Sequence, residues 1–180
     1  MRIRAEQSSL LIVDLQTRLL PVIEDGQSVI EHSHWLQRIA RHLDVPVLLT
    51  EQYSKGLGAT VPALRDGVDE QAILEKLDFS AAGNDALFER PGGERAQFIV
   101  CGCEAHVCVL QTVLDLLGRG RQVFVVEEGV GSRRPADKAL ALARMRQAGA
   151  VIVSREMVAF EWLERAGTER FRTISREFIR

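Results

Sequence analysis

The sequence predicts an α/β fold, a three-layer αβα (Rossmann-like) arrangement around a six-stranded parallel sheet. Short apolar runs, such as residues 9–13 and 98–101, are long enough for one buried strand and too short for a stable helix. Longer segments with apolar residues at helical spacing, such as 107–117, lie between these runs. Strands that alternate with helices in this way form a parallel sheet covered on both faces. Since no linker or internal repeat interrupts the pattern, we expect residues 1–180 to form a single domain.

The first half of the chain predicts three strands and one long helix. Residues 9–13 and 45–50 are apolar runs of strand length, and 72–74 is a third, short one. Between the first two runs, apolar residues recur at helical spacing over 29–43. The segment 54–62 is rich in glycine and small residues, which predicts a loop over the carboxyl edge of the sheet.

Three histidines of the predicted helix 29–43 raise the question of a metal site. His32 and His34 are two residues apart, so they point to different faces of a helix and cannot chelate one ion together. We therefore interpret His32, His34 and His42 as surface residues.

The second half of the chain predicts three further strands and several helices. The strands are 98–101, which Gly102 interrupts, 122–126, which a turn at 129–132 follows, and 150–153. The helices are 84–88, a helix that begins near Cys108 and ends at Leu117, 135–148, 157–163, and a docked terminal helix within 168–180.

Composition and charge narrow the class of protein. A chain of 180 residues with 46% hydrophobic and 27% charged residues is typical of a globular protein with a sizeable core. The net charge of -2 offers no electrostatic case for a nucleic acid or an anionic membrane as a partner. No apolar stretch approaches the roughly 20 residues that span a bilayer, and the start lacks a signal peptide's apolar segment. The three cysteines suit a reducing compartment, so we expect a cytoplasmic protein.

Three chemically useful side chains each follow a predicted buried strand. Asp14, Lys76 and Cys108 would therefore meet at the carboxyl edge of the sheet, where α/β folds bind ligands. A carboxylate can take the proton of a thiol, and the resulting thiolate can attack a carbonyl to form a covalent acyl intermediate. Taken one at a time, the same residues also fit a helix cap, a surface charge and a small buried hydrophobe.

The position of Cys108 also predicts its reactivity. It lies in or next to the first turn of a helix, whose partial positive charge stabilises a thiolate, and an ammonium nearby would do the same. We expect a lowered pKa for Cys108 and alkylation well below pH 8. Cys101, inside a strand, should be inert, and Cys103 should react more slowly than Cys108.

Four polar residues follow the first two strands and should line the same cleft. They are Gln16, Glu51, Gln52 and Tyr53. They would offer a small polar substrate several hydrogen bonds and one aromatic wall. From composition alone, Tyr53 and its neighbours also fit a solvated loop.

The sequence resembles a known family, the isochorismatase-like cysteine hydrolases. The matching stretches are LLIVDLQ, which contains Asp14, EKLDFSA, which contains Lys76, and VCGCEAHVCVLQT, which contains Cys108. The resemblance implies the isochorismatase-like hydrolase fold and a catalytic triad of these three residues. It further implies hydrolysis of amides or related C–N bonds through a covalent thioester-type intermediate.

The resemblance also implies an oxyanion hole and a homo-oligomer. In the family a cis peptide bond precedes the nucleophile's turn, which here is Cys103–Glu104, and the oxyanion donors would be the backbone N–H groups of Glu104 and Cys108. The oligomer would be a dimer or tetramer in which a neighbouring subunit helps to close the pocket. Trp162 or Phe160 would pack at that contact, or both would complete the subunit's own core, the interpretation that we favour.

Differences within the family narrow the resemblance to one subgroup. Nicotinamidases carry an Asp and two His metal ligands, but the equivalent stretch here, TEQYSKGLGAT, contains no histidine, so we expect neither a metal nor another cofactor. Isochorismatases proper lack the cysteine that is Cys108 here. The stretch TEQYSKGLGATVPAL is most similar to the isochorismatase domain-containing subgroup.

Other functions remain open at this point. The same fold can serve a catalytically silent binding protein or a nicotinamidase-like amidase. A redox protein would use Cys101, Cys103 and Cys108, but no C-x-x-C pair is present. A nucleotide-binding Rossmann domain would need a glycine-rich loop after the first strand, and none follows it.

Overall fold

Six strands form one parallel sheet in the computed structural model, which describes residues 1–179. The strands are β1 Ser8–Val13, β2 Val47–Gln52, β3 Ile73–Lys76, β4 Gln97–Cys103, β5 Gln122–Gly131 and β6 Val151–Val153. Their order across the sheet is β3-β2-β1-β4-β5-β6, and each neighbouring pair is parallel. The predicted α/β fold class with a six-stranded parallel sheet is confirmed.

Helices cover both faces of this sheet. The α-helices of the described residues are α1 Gly26–His42, α2 Ser54–Leu57, α3 Pro62–Arg65, α4 Leu110–Gly118, α5 Pro135–Ala148, α6 Arg155–Leu163 and α7 Glu169–Ile174. On one face α1, α6 and α7 share an apolar cluster with the sheet, and on the other face α4 and α5 share a second one. Within residues 1–179, no helix is both long and apolar enough to cross a membrane.

Strand β1 lies inside the sheet and is buried on both faces. Leu10 and Ile12 belong to the cluster under α1, whereas Leu11 and Val13 belong to the cluster under α4. The alternation follows from strand geometry, in which successive side chains point to opposite faces. Each buried aliphatic side chain contributes about 1.5–3 kcal/mol. The run therefore fixes the end of β1, and with it the residue that follows, Asp14.

The two aromatic residues of α6 have different environments. Trp162 is 4% exposed and its Nε1 donates a hydrogen bond to Ser8 Oγ at 3.1 Å, so it completes the core of its own chain. Phe160 is 45% exposed. The expectation that both complete the core is right for Trp162 and wrong for Phe160.

Strands β2 and β3 continue into polar residues, and their predicted boundaries are wrong. We predicted 45–50 and 72–74, but the two strands pair in register as far as Glu51 with Glu75 and Gln52 with Lys76. Backbone pairing continues where the apolar run stops, because the ladder does not depend on side-chain polarity. Glu51, Gln52 and Lys76 therefore belong to the strands and do not follow them.

Strands β4 and β5 also pass their predicted ends. Gly102, predicted to interrupt its strand, pairs with Val13 of β1 and Val130 of β5. Its φ is +129°, and a Cβ there would lie 2.1 Å from the carbonyl oxygen of Val13, so the two backbones approach this closely only because the residue is glycine. A register shift beside Gly102 lets β5 continue to Gly131, where we predicted a turn.

Two further segments test the predicted elements. Residues 84–88 form turns and no helix, because Asn84 Oδ1 accepts from the N–H of Ala86 and closes a local turn instead. The predicted docked terminal helix is confirmed within the described residues as α7 and the π-helical turn Ser175–Ile179. This turn is tied to α1 by the Trp35 Nε1 group, which donates to the carbonyl oxygen of Phe178 at 2.9 Å.

Candidate active site

The topology brings three functional side chains to one edge of the sheet. Asp14 directly follows β1, Lys76 is the last residue of β3, and Cys108 lies in the π-helical turn Ala105–Val109 that follows β4. Since all strands are parallel, their carboxyl ends share one edge, where α/β proteins place their ligands. π-helical turns of this kind are frequent at functional sites.

Asp14 is fully buried, and both of its carboxylate oxygens accept hydrogen bonds. Thr50 Oγ1 donates to Oδ1 at 2.5 Å, and Lys76 Nζ donates to Oδ2 at 2.8 Å. The backbone of Asp14 has a φ of 51°, a left-handed conformation that Asp adopts more readily than most residues. A buried carboxylate needs such donors, because burial otherwise disfavours its charged form.

Lys76 is surrounded by hydrogen-bond acceptors. Its Nζ lies 2.8 Å from Asp14 Oδ2, 2.7 Å from Gln52 Oε1 and 2.9 Å from the carbonyl oxygen of Phe79. The side chain is 5% exposed, so Lys76 is not a surface charge, the alternative left open by the sequence. An ammonium group has three donors and no acceptor, and this shell satisfies it.

The thiol of Cys108 joins the pair of Asp14 and Lys76. Both charged side chains act on its pKa, so the thiol lies beside them, and the residue is 7% exposed. Burial and, to a smaller extent, the Asp14 carboxylate raise the pKa of Cys108 while Lys76 lowers it, and together they raise it to about 12. The expectation of a lowered pKa is therefore wrong for the resting protein, because desolvation outweighs the ammonium. The thiol therefore keeps its proton at pH 7, with the Asp14 carboxylate beside it.

Cys101 and Cys103 are buried strand residues that point away from this chemistry. Burial raises the pKa of Cys101 to about 12 and that of Cys103 well above its usual range. All three cysteines are free thiols. Both environments fit the expectations that Cys101 is inert and that Cys103 reacts more slowly than Cys108, which stay predictions.

The segment between β4 and Cys108 has the backbone geometry that the resemblance implies. The peptide bond Cys103–Glu104 is cis. The carbonyl oxygen of Glu104 accepts from the N–H groups of Val107 at 3.0 Å and Val109 at 3.2 Å, so it closes the turn that carries Cys108. The oxyanion role of the Glu104 and Cys108 N–H groups stays a prediction.

Gln16 and Gln52 form hydrogen bonds with each other and with neighbouring residues of the protein. The N–H of Gln52 donates to Gln16 Oε1 at 2.8 Å, and Gln16 Nε2 donates to the carbonyl oxygens of Gln52 at 3.0 Å and Gly58 at 2.6 Å. The amide of Gln52 accepts from Lys76 and donates to the carbonyl oxygen of Leu77 at 2.7 Å. Both side chains are thus buried connections between β1, β2 and the segment after β3.

Glu51 and Tyr53 occupy different positions around the site. Glu51 is buried, and its Oε1 accepts from the N–H of Thr60 at 2.9 Å and from Arg65 Nη1 at 2.7 Å, so it anchors α3 and the loop before it. Tyr53 is 53% exposed and has a left-handed φ of 40°. Of the four residues predicted to line the cleft, the structure leaves Tyr53 with an exposed side chain.

The histidines of α1 differ in how deeply they are buried. His32 and His34 are half-buried, and burial lowers the pKa of each, so both are less exposed than we expected. Among residues 1–179, no three His, Cys, Asp or Glu side chains are grouped as a metal would require.

Sequence reasoning missed two contributors to the site. Thr50, which hydrogen-bonds Asp14, is recognisable as the one polar side chain of the predicted strand 45–50. Arg133 donates to Glu104 Oε2 through its backbone N–H at 3.0 Å and through Nε at 3.1 Å. No sequence signal links Arg133 to Glu104, because their proximity depends on the register of β4 and β5.

These observations define the class as an α/β domain with a buried thiol, carboxylate and ammonium at the carboxyl edge of its sheet. The Isochorismatase domain family matches residues 8–157. The isochorismatase domain-containing protein 2A of Mus musculus is 39% identical over 178 residues, which cover 97% of this chain and 84% of that protein. The chain belongs to the isochorismatase family.

Solved structures agree with this assignment. The structure of MAR1 ribonuclease from Caenorhabditis elegans has a TM-score of 0.89 and 35% sequence identity, and covers 100% of this chain and 93% of that chain. The structure of YcaC from Pseudomonas aeruginosa with hexane-2,5-diol and covalent acrylamide has a TM-score of 0.86 and 27% identity, and covers 97% of this chain and 90% of that chain. The isochorismatase-like hydrolase fold is thus the fold of this chain.

Proposed function

We propose that the protein is a metal-independent cysteine hydrolase that cleaves a C–N bond of a small amide-like substrate through a thioester intermediate. One observation carries the proposal: the buried thiol of Cys108 lies beside the ion pair of Asp14 and Lys76. A base next to a nucleophile, itself oriented by a third group, is the arrangement that nucleophilic catalysis requires.

The reaction would proceed in two halves. As the Cys108 sulfur attacks the amide carbonyl, its proton moves to Asp14, and the Glu104 and Cys108 N–H groups hold the developing oxyanion. The C–N bond then breaks, the proton passes from Asp14 to the leaving nitrogen, and a thioester remains. Asp14 next takes a proton from water, whose oxygen attacks the thioester, and the acid leaves as the Cys108 thiol regains its proton. Lys76 stabilises the negative charge on Asp14 and on the sulfur.

The neutral resting thiol favours this proton transfer. Because burial raises the pKa of Cys108 to about 12, thiolate is scarce at pH 7 until a base accepts the proton during attack. Asp14 lies beside the thiol and can act as that base. Covalent acrylamide in the YcaC structure supports the idea that this fold can present a reactive nucleophile.

Burial also limits the substrate. Asp14 is 0% exposed, while Lys76 and Cys108 are each 7% exposed, so only a small group can reach the sulfur. We propose that Tyr53 contacts the substrate from the rim. Gln16, Glu51 and Gln52, which we expected to bind substrate, would act as positioning residues, since their side chains are hydrogen-bonded within the protein.

The test is a hydrolysis screen over small amides, ureides and hydroxamates in the presence of EDTA. Cys108→Ala serves as the blank, and Cys101→Ala serves as the matched control, because it removes another buried thiol outside the site. We expect release of ammonia or amine from at least one substrate by the wild type and by Cys101→Ala. Turnover that persists in Cys108→Ala, or that EDTA abolishes and zinc restores, would contradict the proposal. Binding without turnover by any variant would favour a silent binding protein.

A ribonuclease is the second candidate, because a solved structure that is 35% identical carries that name. The charge of -2 and the burial of Asp14 and Cys108 argue against a polynucleotide at this site. The expected result is no cleavage of a single-stranded RNA by the wild type. RNA cleavage that Asp14→Asn abolishes would make ribonuclease activity the better conclusion.

The cell compartment and the assembly are also proposals. Three free thiols support a reducing compartment, so we place the protein in the cytoplasm. Leu77 and Phe79, next to Lys76, are 74% and 52% exposed, which supports a homo-oligomer that covers them. Sedimentation equilibrium tests this, and a monomer at micromolar concentration would contradict it.

A further inference from the structure

A second cluster of ionisable side chains lies beside the candidate site. A cavity of about 290 Å3 is lined by His106, Arg133, Arg134 and Asp137, and we call it the arginine pocket. Its lining has two guanidinium groups and one carboxylate, and Asp137 Oδ2 lies 4.0 Å from His106 Nε2. The mechanism proposed above uses none of these side chains.

Arg133 is held by one edge of its guanidinium group. Its backbone N–H and its Nε both donate to Oε2 of the buried Glu104, at 3.0 and 3.1 Å. The two terminal amino groups of Arg133 take no part in this contact. A guanidinium fixed in this way presents a planar pair of donors, the geometry that binds a carboxylate.

Arg134 and His106 extend the same lining. Arg134 is exposed, and no carboxylate of residues 1–179 lies within 4.0 Å of its guanidinium group. His106 Nδ1 lies 3.0 Å from Ser132 Oγ, which holds the ring beside the arginines. The pocket therefore contains one oriented guanidinium and a second one that is free of an ion pair.

The register of the sheet places this pocket next to the reacting atoms. Cys103 of β4 pairs with Gly131 of β5, so the residues that follow, including Glu104 and Arg133, leave the sheet side by side. Asp14 leaves β1 on the other side of β4. His106 of the pocket lining belongs to the turn Ala105–Val109 that also carries Cys108, so the arginine pocket adjoins the turn of the nucleophile.

We infer that the arginine pocket binds a carboxylate carried by the substrate, so that the substrate class is a short-chain amide with a carboxylate a few bonds from the scissile C–N bond. This inference rests on the proposed function and names the substrate class of the same site. The amide carbonyl would lie between Cys108 and the Glu104 N–H. The carboxylate would accept hydrogen bonds from the guanidinium group of Arg133. The positive charge of Arg134 would also attract it.

Steady-state kinetics with matched substrates test the inference. Succinamate and butyramide share a carbon chain, and only the first carries a carboxylate. We expect a ratio of kcat/KM for succinamate over butyramide of about 10 to 100 in the wild type, because a hydrogen bond to a charged group has that effect on binding. The ratio should fall toward one in Arg133→Ala. It should fall several-fold in Arg134→Gln, which leaves the contact of Arg133 with Glu104 in place.

A binding measurement separates this inference from the proposed function. Isothermal titration of Cys108→Ala with succinamate needs no turnover, and we expect affinity that Arg133→Ala, added to this variant, weakens at least 10-fold. Hydrolysis of both amides with a ratio near one, unchanged in the arginine variants, would overturn the inference and leave the hydrolase intact. Arginine-dependent binding without any hydrolysis would support the pocket while the proposed function fails. Arginine-independent binding of succinamate would also overturn the inference.

Discussion

The pair of Lys76 and Asp14 gives the most quantitative prediction about this site. Lys76→Met removes the ammonium and keeps most of the length of the side chain. Asp14 then loses its donor at 2.8 Å and keeps Thr50 Oγ1 and the thiol of Cys108 as partners. The carboxylate is 0% exposed, so water cannot replace the missing charge.

The magnitude follows from this burial. Leaving one member of a buried ion pair uncompensated costs about 3–5 kcal/mol. With a urea m-value of about 2 kcal/mol/M, the unfolding midpoint should fall by about 2 M. Asp14→Asn should cost a similar amount, about 3 kcal/mol, because Gln52 Oε1 and the carbonyl oxygen of Phe79 still accept from the ammonium but carry no opposite charge.

The double variant distinguishes a charge effect from general damage. Lys76→Met with Asp14→Asn contains no buried charge at this position, so its destabilisation should be smaller than the sum of the two single effects by at least about 1.5 kcal/mol. Urea titrations followed by far-UV circular dichroism provide the four free energies of unfolding. Lys55→Met, at an exposed lysine, is the control and should change stability by less than about 0.5 kcal/mol. Additive single effects would refute the view that the two groups are a buried ion pair.

Two further predictions concern the scaffold. Gly102→Ala should destabilise the protein by about 3 kcal/mol or more, because its Cβ would lie 2.1 Å from the carbonyl oxygen of Val13. The control is Gly118→Ala, whose Cβ would have no atom within 4 Å and whose stability should stay within about 1 kcal/mol of the wild type. Equal urea midpoints for the two variants would contradict the close packing of β4 on β1. Stability should fall as the pH rises from 9 toward 12, because the unfolded chain releases thiol protons in a range where burial keeps Cys101 protonated, with its pKa raised to about 12. Cys101→Ala should reduce that slope by about 1.4 kcal/mol per pH unit, and parallel curves for the two proteins would show that Cys101 is not the cause.

The positions of the three central residues were predictable because they depend on topology alone. A polar residue at the carboxyl end of a buried parallel strand, or in the turn that follows it, lies at that edge of the sheet, and Asp14, Lys76 and Cys108 each meet this condition. The strands can be located in the sequence because their side chains are buried in the core and therefore form apolar runs. Their exact lengths were not predictable, because β2 and β3 continue their ladder through Glu51 and Gln52 after the apolar pattern ends.

The electrostatics of the site were less accessible to sequence reasoning. Spacing places an ammonium near Cys108, but the pKa of its thiol also depends on how much water is excluded, and burial dominates. The hydrogen-bond partners of Gln52 and Glu51 likewise depend on the folded chain, because these side chains bind backbone groups that have no partner in the secondary structure. Arg133 was missed because its contact with Glu104 spans two strands whose register shifts at a bulge.

Mass spectrometry of the enzyme quenched with acid during turnover tests the central claim most directly. With a hydrolysed amide as substrate, we predict that the peptide containing Cys108 gains the mass of the acyl group. No such adduct should form on the peptides of Cys108→Ala. Turnover with the acyl group on any other residue, or steady hydrolysis by Cys108→Ala, would contradict a thioester on Cys108.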